Sequence, residues 1–210
     1  MKVRLALAVL ALSACTKSIP VEKRPEIAAI AAKDFYPLAV DNTWSYQLNG
    51  LGEKGDIEIK ILKEDNGMFA DGSRRKNPDG TWSAWVPGNQ LFTDAFGVRD
   101  QKRYLLRDPV SVGTEWSNVV SVSSVERYKI VSADVGCDSP AGHFEGCAVV
   151  ESTNKVEEGK ALVNELTFAP KVGLVRISTV LVQDGKKIPQ FTLELTKHQL
   201  KGAAVAPTAP

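Results

Sequence analysis

The stretch GDIEIKI, Gly55 to Ile61, alternates without a break. Ile57, Ile59 and Ile61 point one way, while Asp56, Glu58 and Lys60 point the other. A side-chain period of two belongs to a strand with one buried and one wet face. FTLELTK, Phe191 to Lys197, repeats the pattern with Phe191, Leu193 and Leu195 against Thr192, Glu194 and Thr196. Between such runs lie turn signals: Asn66-Gly67, Asp79-Gly80, Ala141-Gly142, Glu158-Gly159 and Asp184-Gly185. Asn-Gly and Asp-Gly suit hairpins because both residues tolerate positive φ. No long helical period interrupts the body. The expected fold is all-β: a single-domain antiparallel meander of about 10–12 strands, a curled sheet or partly open barrel.

One phrase is written twice. YPLAVDNTWSYQ begins at Tyr36 and DPVSVGTEWSNV at Asp108, so that Pro37, Val40, Trp44 and Ser45 match Pro109, Val112, Trp116 and Ser117. The later phrases keep the same order: GMFADG at Gly67 and GHFEGC at Gly142, then GVR at Gly97 and GLVR at Gly173. The proline and the polar residues predict a turn, the valine a core plug, and the tryptophan a large apolar anchor opening the next strand. Two such corners would begin two similar halves.

The chain starts MKVRLALAVLALSAC. Lys2 and Arg4 precede an apolar run, Leu5 to Leu12, too short for the roughly 20 residues of a membrane span and suited to a secretory signal. Leu12-Ser13-Ala14-Cys15 resembles the lipobox of bacterial lipoproteins. The resemblance implies a signal peptide over 1–14 and a diacylglycerol on Cys15. It implies partnership with a membrane through that lipid; two or more acyl chains are needed for a stable hold. Thr16, where an aspartate would favour the inner membrane in enteric bacteria, points to the outer membrane facing the periplasm. Residues 15–34 read as a lipidated tether in which PEIAAIAAKD forms a short helix led by Pro25. Residues 35–200 form the β-rich body. The Ala- and Pro-rich 201–210 read as a disordered tail.

FYPLAVDNTWSY, SPAGHFEGCAVVES and FAPKVGLVR are also similar to phrases of uncharacterised bacterial envelope lipoproteins. Those carry Pro-Leu-x-Val-Gly-x-x-Trp, Pro-Ala-Gly-x-Phe-x-x-Cys and Ala-Pro-x-Val-Gly-Leu-Val. The chain departs from them at Asp41, where the pattern has glycine; Gly113 keeps that glycine in the second copy. The resemblance implies a fold and a compartment, and no reaction.

Without Lys2 and Arg4 the chain holds 24 Lys+Arg against 25 Asp+Glu. So even a balance gives no nucleic-acid footprint. Arg74-Arg75-Lys76, the densest basic run, reads as a solvated loop. Cys137 and Cys147 flank a turn signal, and in an exported protein such a pair reads as a disulfide. With His143 they fall short of the four ligands of a structural zinc site. His198 falls on the polar face of its strand and His143 beside a turn. No nucleophile elbow, zinc helix or phosphate loop occurs, so the expectation is no catalytic residues, no metal and no cofactor. Trp82 and Trp85, three apart on a strand, would face opposite ways, one in the core and one exposed, unless a bulge buries both. Two functions remain. One is a structural or protein-interaction module meeting another envelope component. The other is a carrier or binder of a lipid or other apolar ligand within the curled sheet.

Overall fold

A computed structural model of the protein describes residues 30–201. The signal peptide, Cys15, the first half of the expected helix and residues 202–210 lie outside that range. The body is a meander of twelve strands: β1 (Thr43–Gly50), β2 (Glu53–Asp65), β3 (Met68–Arg75), β4 (Val86–Asp94), β5 (Gly97–Arg99), β6 (Tyr104–Arg107), β7 (Glu115–Ser121), β8 (Ser124–Ser139), β9 (Gly142–Glu157), β10 (Lys160–Ala169), β11 (Gly173–Gln183) and β12 (Lys186–Gln199). Every pairing is antiparallel. The order across the sheet is β6-β5-β4-β3-β2-β1-β12-β11-β10-β9-β8-β7. The first and last strands therefore pair in the middle, and the two edges belong to the consecutive strands β6 and β7. The sheet curls until these edges meet as an almost closed barrel with an unsealed seam.

At the seam side chains replace the ladder. The Tyr104 amide donates to Asn118 Oδ1 at 3.1 Å, and Asn118 Nδ2 donates to the Tyr104 carbonyl at 3.2 Å. Trp116 Nε1 donates to that carbonyl as well, at 3.0 Å. Arg103 grips Glu126 through two nitrogens, at 2.8 and 3.0 Å, the bidentate geometry that makes such pairs strong. Asn118 is 5% exposed. Its amide satisfies edge groups that would otherwise lie buried and unpaired, as buried polar groups require.

The two halves share their corners. The Asp41 amide donates to the Ile61 carbonyl at 2.9 Å, and the Ile61 amide donates to Asn42 O at 3.0 Å. Gly113, Ile130 and Thr114 repeat both bonds at 2.9 Å. Asn42 Nδ2 reaches Pro37 O at 2.7 Å, and Thr114 Oγ1 reaches Pro109 O at 2.8 Å. Asp41 and Gly113 both hold left-handed backbone, φ 74° and 93°. Trp44 and Trp116 each sit second in their strand and are 0% and 5% exposed. The later phrases also fall on equivalent elements, at the starts of β3 and β9 and of β5 and β11. The valine does not follow the pattern. Val40 packs against the core, but Val112 is exposed and Val110 is buried in its stead.

Trp44, Tyr46, Phe35, Phe168 and Ile61 are among the largest sealed side chains of the core. Before β1 the described chain forms a single 3-10 turn, Ala32–Asp34, where the sequence led us to expect a longer helix. Ala31 is already extended. The turn serves as a plug: Ala32 and Phe35 are buried, the Ala32 amide donates to Asp108 Oδ1 at 2.8 Å, and Asp34 O accepts from the Lys171 amide at 2.8 Å.

β8 and β9 make the longest hairpin, and it is not straight. Register shifts fall at Ile130/Ser132, Ser132/Val135 and Val135/Cys137. Such bulges bend a strand and raise its twist. The bent hairpin folds its tip over β12, where the Ala141 amide donates to Leu195 O at 3.0 Å and Phe144 lies 6.1 Å from the His198 ring. Cys137 and Cys147 are bonded to one another with Cα atoms 6.1 Å apart. Their link spans the stretch where the ladder is broken.

Candidate functional site

The concave face is packed at one end and open at the other. Along β1, Trp44 and Tyr46 are sealed, whereas Leu48 is only half-buried. Along β2, Ile61 is sealed while Ile59 and Ile57 are half-buried. β12 runs from Leu195 at 0% exposure through Leu193 to Phe191 at 38%. The apolar alternation thus outlasts the packing. Past the sealed core lies an open groove of about 570 Å³. Leu48, Leu193 and Ile177 stand opposite one another across β1, β12 and β11 and form part of its lining. Ile57 continues the lining on β2, and the more exposed Leu51 and Phe191 flank it.

Three polar groups share this groove. Arg75 stands opposite Ile57 in the ladder and therefore on the same face. Glu53 lies on β2 at the parity of Ile57, and its carboxylate is 3.4 Å from the Arg75 guanidinium. Gln190 completes the set. Between Glu53 and Ile57 the concave position is Gly55, opposite Leu48. A Cβ there would meet no atom within 4 Å. A side chain at this position would therefore enter open space on the concave face.

Several residues lie elsewhere than the sequence placed them. His198 is not on the polar face. The register of β1 with β12 shifts between Ser45 and Tyr46, so Trp44 faces His198 while Tyr46 faces Leu195. The extra residue, Thr196, reverses the parity and turns His198 inward. Burial pushes its imidazole pKa down, and Nδ1 has no partner. His143, by contrast, is exposed and held by Asp138 at 2.7 Å and Glu145 at 3.0 Å, which raise its pKa. Neither histidine lines the groove.

Trp82 and Trp85 are not on one strand. Both belong to the β3–β4 connection, both are half-buried, and both close on the Arg74 guanidinium, at 4.9 and 4.5 Å. Arg74 also pairs with Glu58 on the outer face. The basic run is therefore no solvated loop: Arg74 is clamped outside the sheet, and Arg75 borders the groove. A second cationic–aromatic cluster spans β4 to β6, with Arg99 over Phe92 and Tyr104, and Arg107 over Tyr104 and Phe96. Among the described residues no group of three or more His, Cys, Asp or Glu is arranged to hold a metal ion.

The sequence did not reveal the groove as a site. Its nearest signal was GLGEKGD, Gly50 to Asp56, at the turn from β1 into β2, whose glycines stand beside an apolar alternation.

No protein-family model matches the chain, and no curated protein matches it. Among solved structures, the chain is similar to a protein of Parabacteroides distasonis described provisionally as a lipoprotein. The identity is 12% and the TM-score 0.40, over 79% of this chain and 98% of that one.

Proposed function

We propose that the protein is an envelope lipoprotein, anchored by lipid on Cys15 to the outer membrane and facing the periplasm, whose β body binds an apolar ligand and catalyses no reaction. The observation that carries the ligand reading is the groove at the open end of the sheet. Its volume falls within the range of about 300–1,000 Å³ of small-ligand sites, which pair an apolar lining with a few polar groups. Each methylene of an acyl chain moved there from water contributes about 0.8 kcal/mol. Leu48, Ile57, Ile177 and Leu193 are half-buried in the free protein, so a ligand gains their remaining apolar surface as well. The anchor reading rests on the order of charge, apolar run and cysteine at the start of the chain.

The partner-binding reading has its own observation: the cationic–aromatic cluster around Arg99 and Arg107, with Phe96 56% exposed. Aromatic and arginine side chains are enriched in protein interfaces. The groove is the stronger feature because it is concave.

The test is to fill the groove without disturbing its walls. Gly55→Leu places an apolar side chain in the open space and, away from positive φ, strains no backbone. N-phenylnaphthylamine, a neutral apolar fluorophore, should brighten and saturate with the parent protein and lose at least about tenfold in affinity with the variant. Equal affinity, with both proteins folded, would move the ligand site elsewhere or remove it.

A further inference from the structure

We infer, resting on the groove reading above, that the ligand is a single-chain amphiphile whose head carries both a phosphate and an ammonium group. The volume of about 570 Å³ suits one small ligand rather than a two-chain lipid. The polar rim supplies the rest of the argument. A ligand made only of hydrocarbon would need neither Arg75 nor Glu53. A fatty acid would find Arg75, but its carboxylate would then stand beside that of Glu53, which lies 3.4 Å from the same guanidinium. Like charges at that range repel, so an anion gains at Arg75 and loses at Glu53.

A zwitterionic head meets both groups with opposite sign. Its phosphate suits the planar fork of Arg75, which binds phosphate through parallel N–H bonds. Its ammonium suits the Glu53 carboxylate, and at the same rim Gln190, whose Nε2 donates to Ile188 O at 3.1 Å, leaves its Oε1 to accept from a glycerol hydroxyl. The resident pair does not oppose entry. Both side chains are largely exposed, 64% for Arg75 and 71% for Glu53, and exposed pairs of this kind hold weakly. In the free protein Arg75 and Glu53 neutralise each other; in the complex each turns to one end of the head.

Competition against N-phenylnaphthylamine on the purified full chain separates the alternatives. Three competitors share one chain length: a lysophosphoethanolamine, the free fatty acid and the monoacylglycerol. The lysophosphoethanolamine should bind about tenfold more tightly than the other two. Arg75→Gln and Glu53→Gln should each reduce it to the monoacylglycerol level, while monoacylglycerol affinity and the melting temperature stay unchanged. Equal affinity for all three competitors would overturn the head-group inference and leave the apolar site standing. So would a preference for the fatty acid that Arg75→Gln alone abolishes. Displacement by none of them would overturn the groove reading itself.

Discussion

Asp41 holds a left-handed backbone position, φ 74°, that its counterpart Gly113 fills without a side chain. Aspartate and asparagine tolerate that region better than most residues. Its carboxylate compensates by pairing with Lys60 at 2.8 Å and Lys201 at 2.9 Å, which tie β2 and the segment just past β12 to the first corner. Hydrogen bonds from these two lysines hold its pKa at about 2, below the ordinary 3.8. A depressed carboxylate pKa contributes stability above the unfolded-state value, and that stability is lost as pH falls through the folded one. Asp41→Asn keeps the backbone tolerance and removes the charge. Its melting temperature should lie below the parent's at pH 7, by on the order of 1–2 °C because the pair is exposed. The gap should close between pH 4 and pH 2; a gap constant down to pH 2 would assign the effect to something other than the ion pairs. The sequence carried half of this: the repeated phrase aligned Asp41 with Gly113, but the left-handed backbone the two share was not read from the letters. His198 was not legible, because the bulge that turns it inward adds one residue to a strand whose period is unbroken in the letters.

Strands were more legible than their irregularities. Ile57, Ile59 and Ile61 read alike in sequence, and all three face inward. Yet Ile61 is sealed and Ile57 borders open space, because a period of two records direction and not the depth of packing. The same blindness hid the irregularities of the β8–β9 hairpin, where Asp134 on β8 and Gly146 on β9 take positive φ, 55° and 71°. There the disulfide has a particular task. It joins β8 to β9 where ladder bonds are missing and keeps the tip pressed on Leu195. Closing a loop with a sequence separation of 10 should contribute about 3 kcal/mol in the chain-entropy account. Replacing both Cys137 and Cys147 with serine should therefore lower the melting temperature by several degrees, roughly 6–12 °C. It should also speed hydrogen exchange at the Ala141 amide, which bonds Leu195. Faster exchange spread evenly over the sheet would mean a general loss of stability with no role in the tip.

At the scale of the molecule, two halves of six strands are joined where the chain is most distant from itself, β1 against β12, and meet without a backbone ladder where it is continuous, β6 against β7. The repeated phrases announced the halves. Which strands would pair across them could not be read, since register depends on contacts far apart in the chain. The lipid anchor belongs to this scale too. If Cys15 carries it, Cys15→Ser should abolish incorporation of labelled fatty acid and release the protein from the membrane fraction; undiminished labelling would place the lipid elsewhere. The joint between β1 and β12 has a mechanical consequence. Thr43 pairs with Gln199 and Gly50 with Phe191, so the segments leading into β1 and out of β12 emerge at the same end of the joint. A pull applied between those two segments opens it one rung at a time from Thr43, as a zip, instead of shearing every bond together. The plug of buried Ala32 and Phe35 and the bonds from Lys201 to Asn42 and Asp41 close that end, so tension reaches the joint only after they give way.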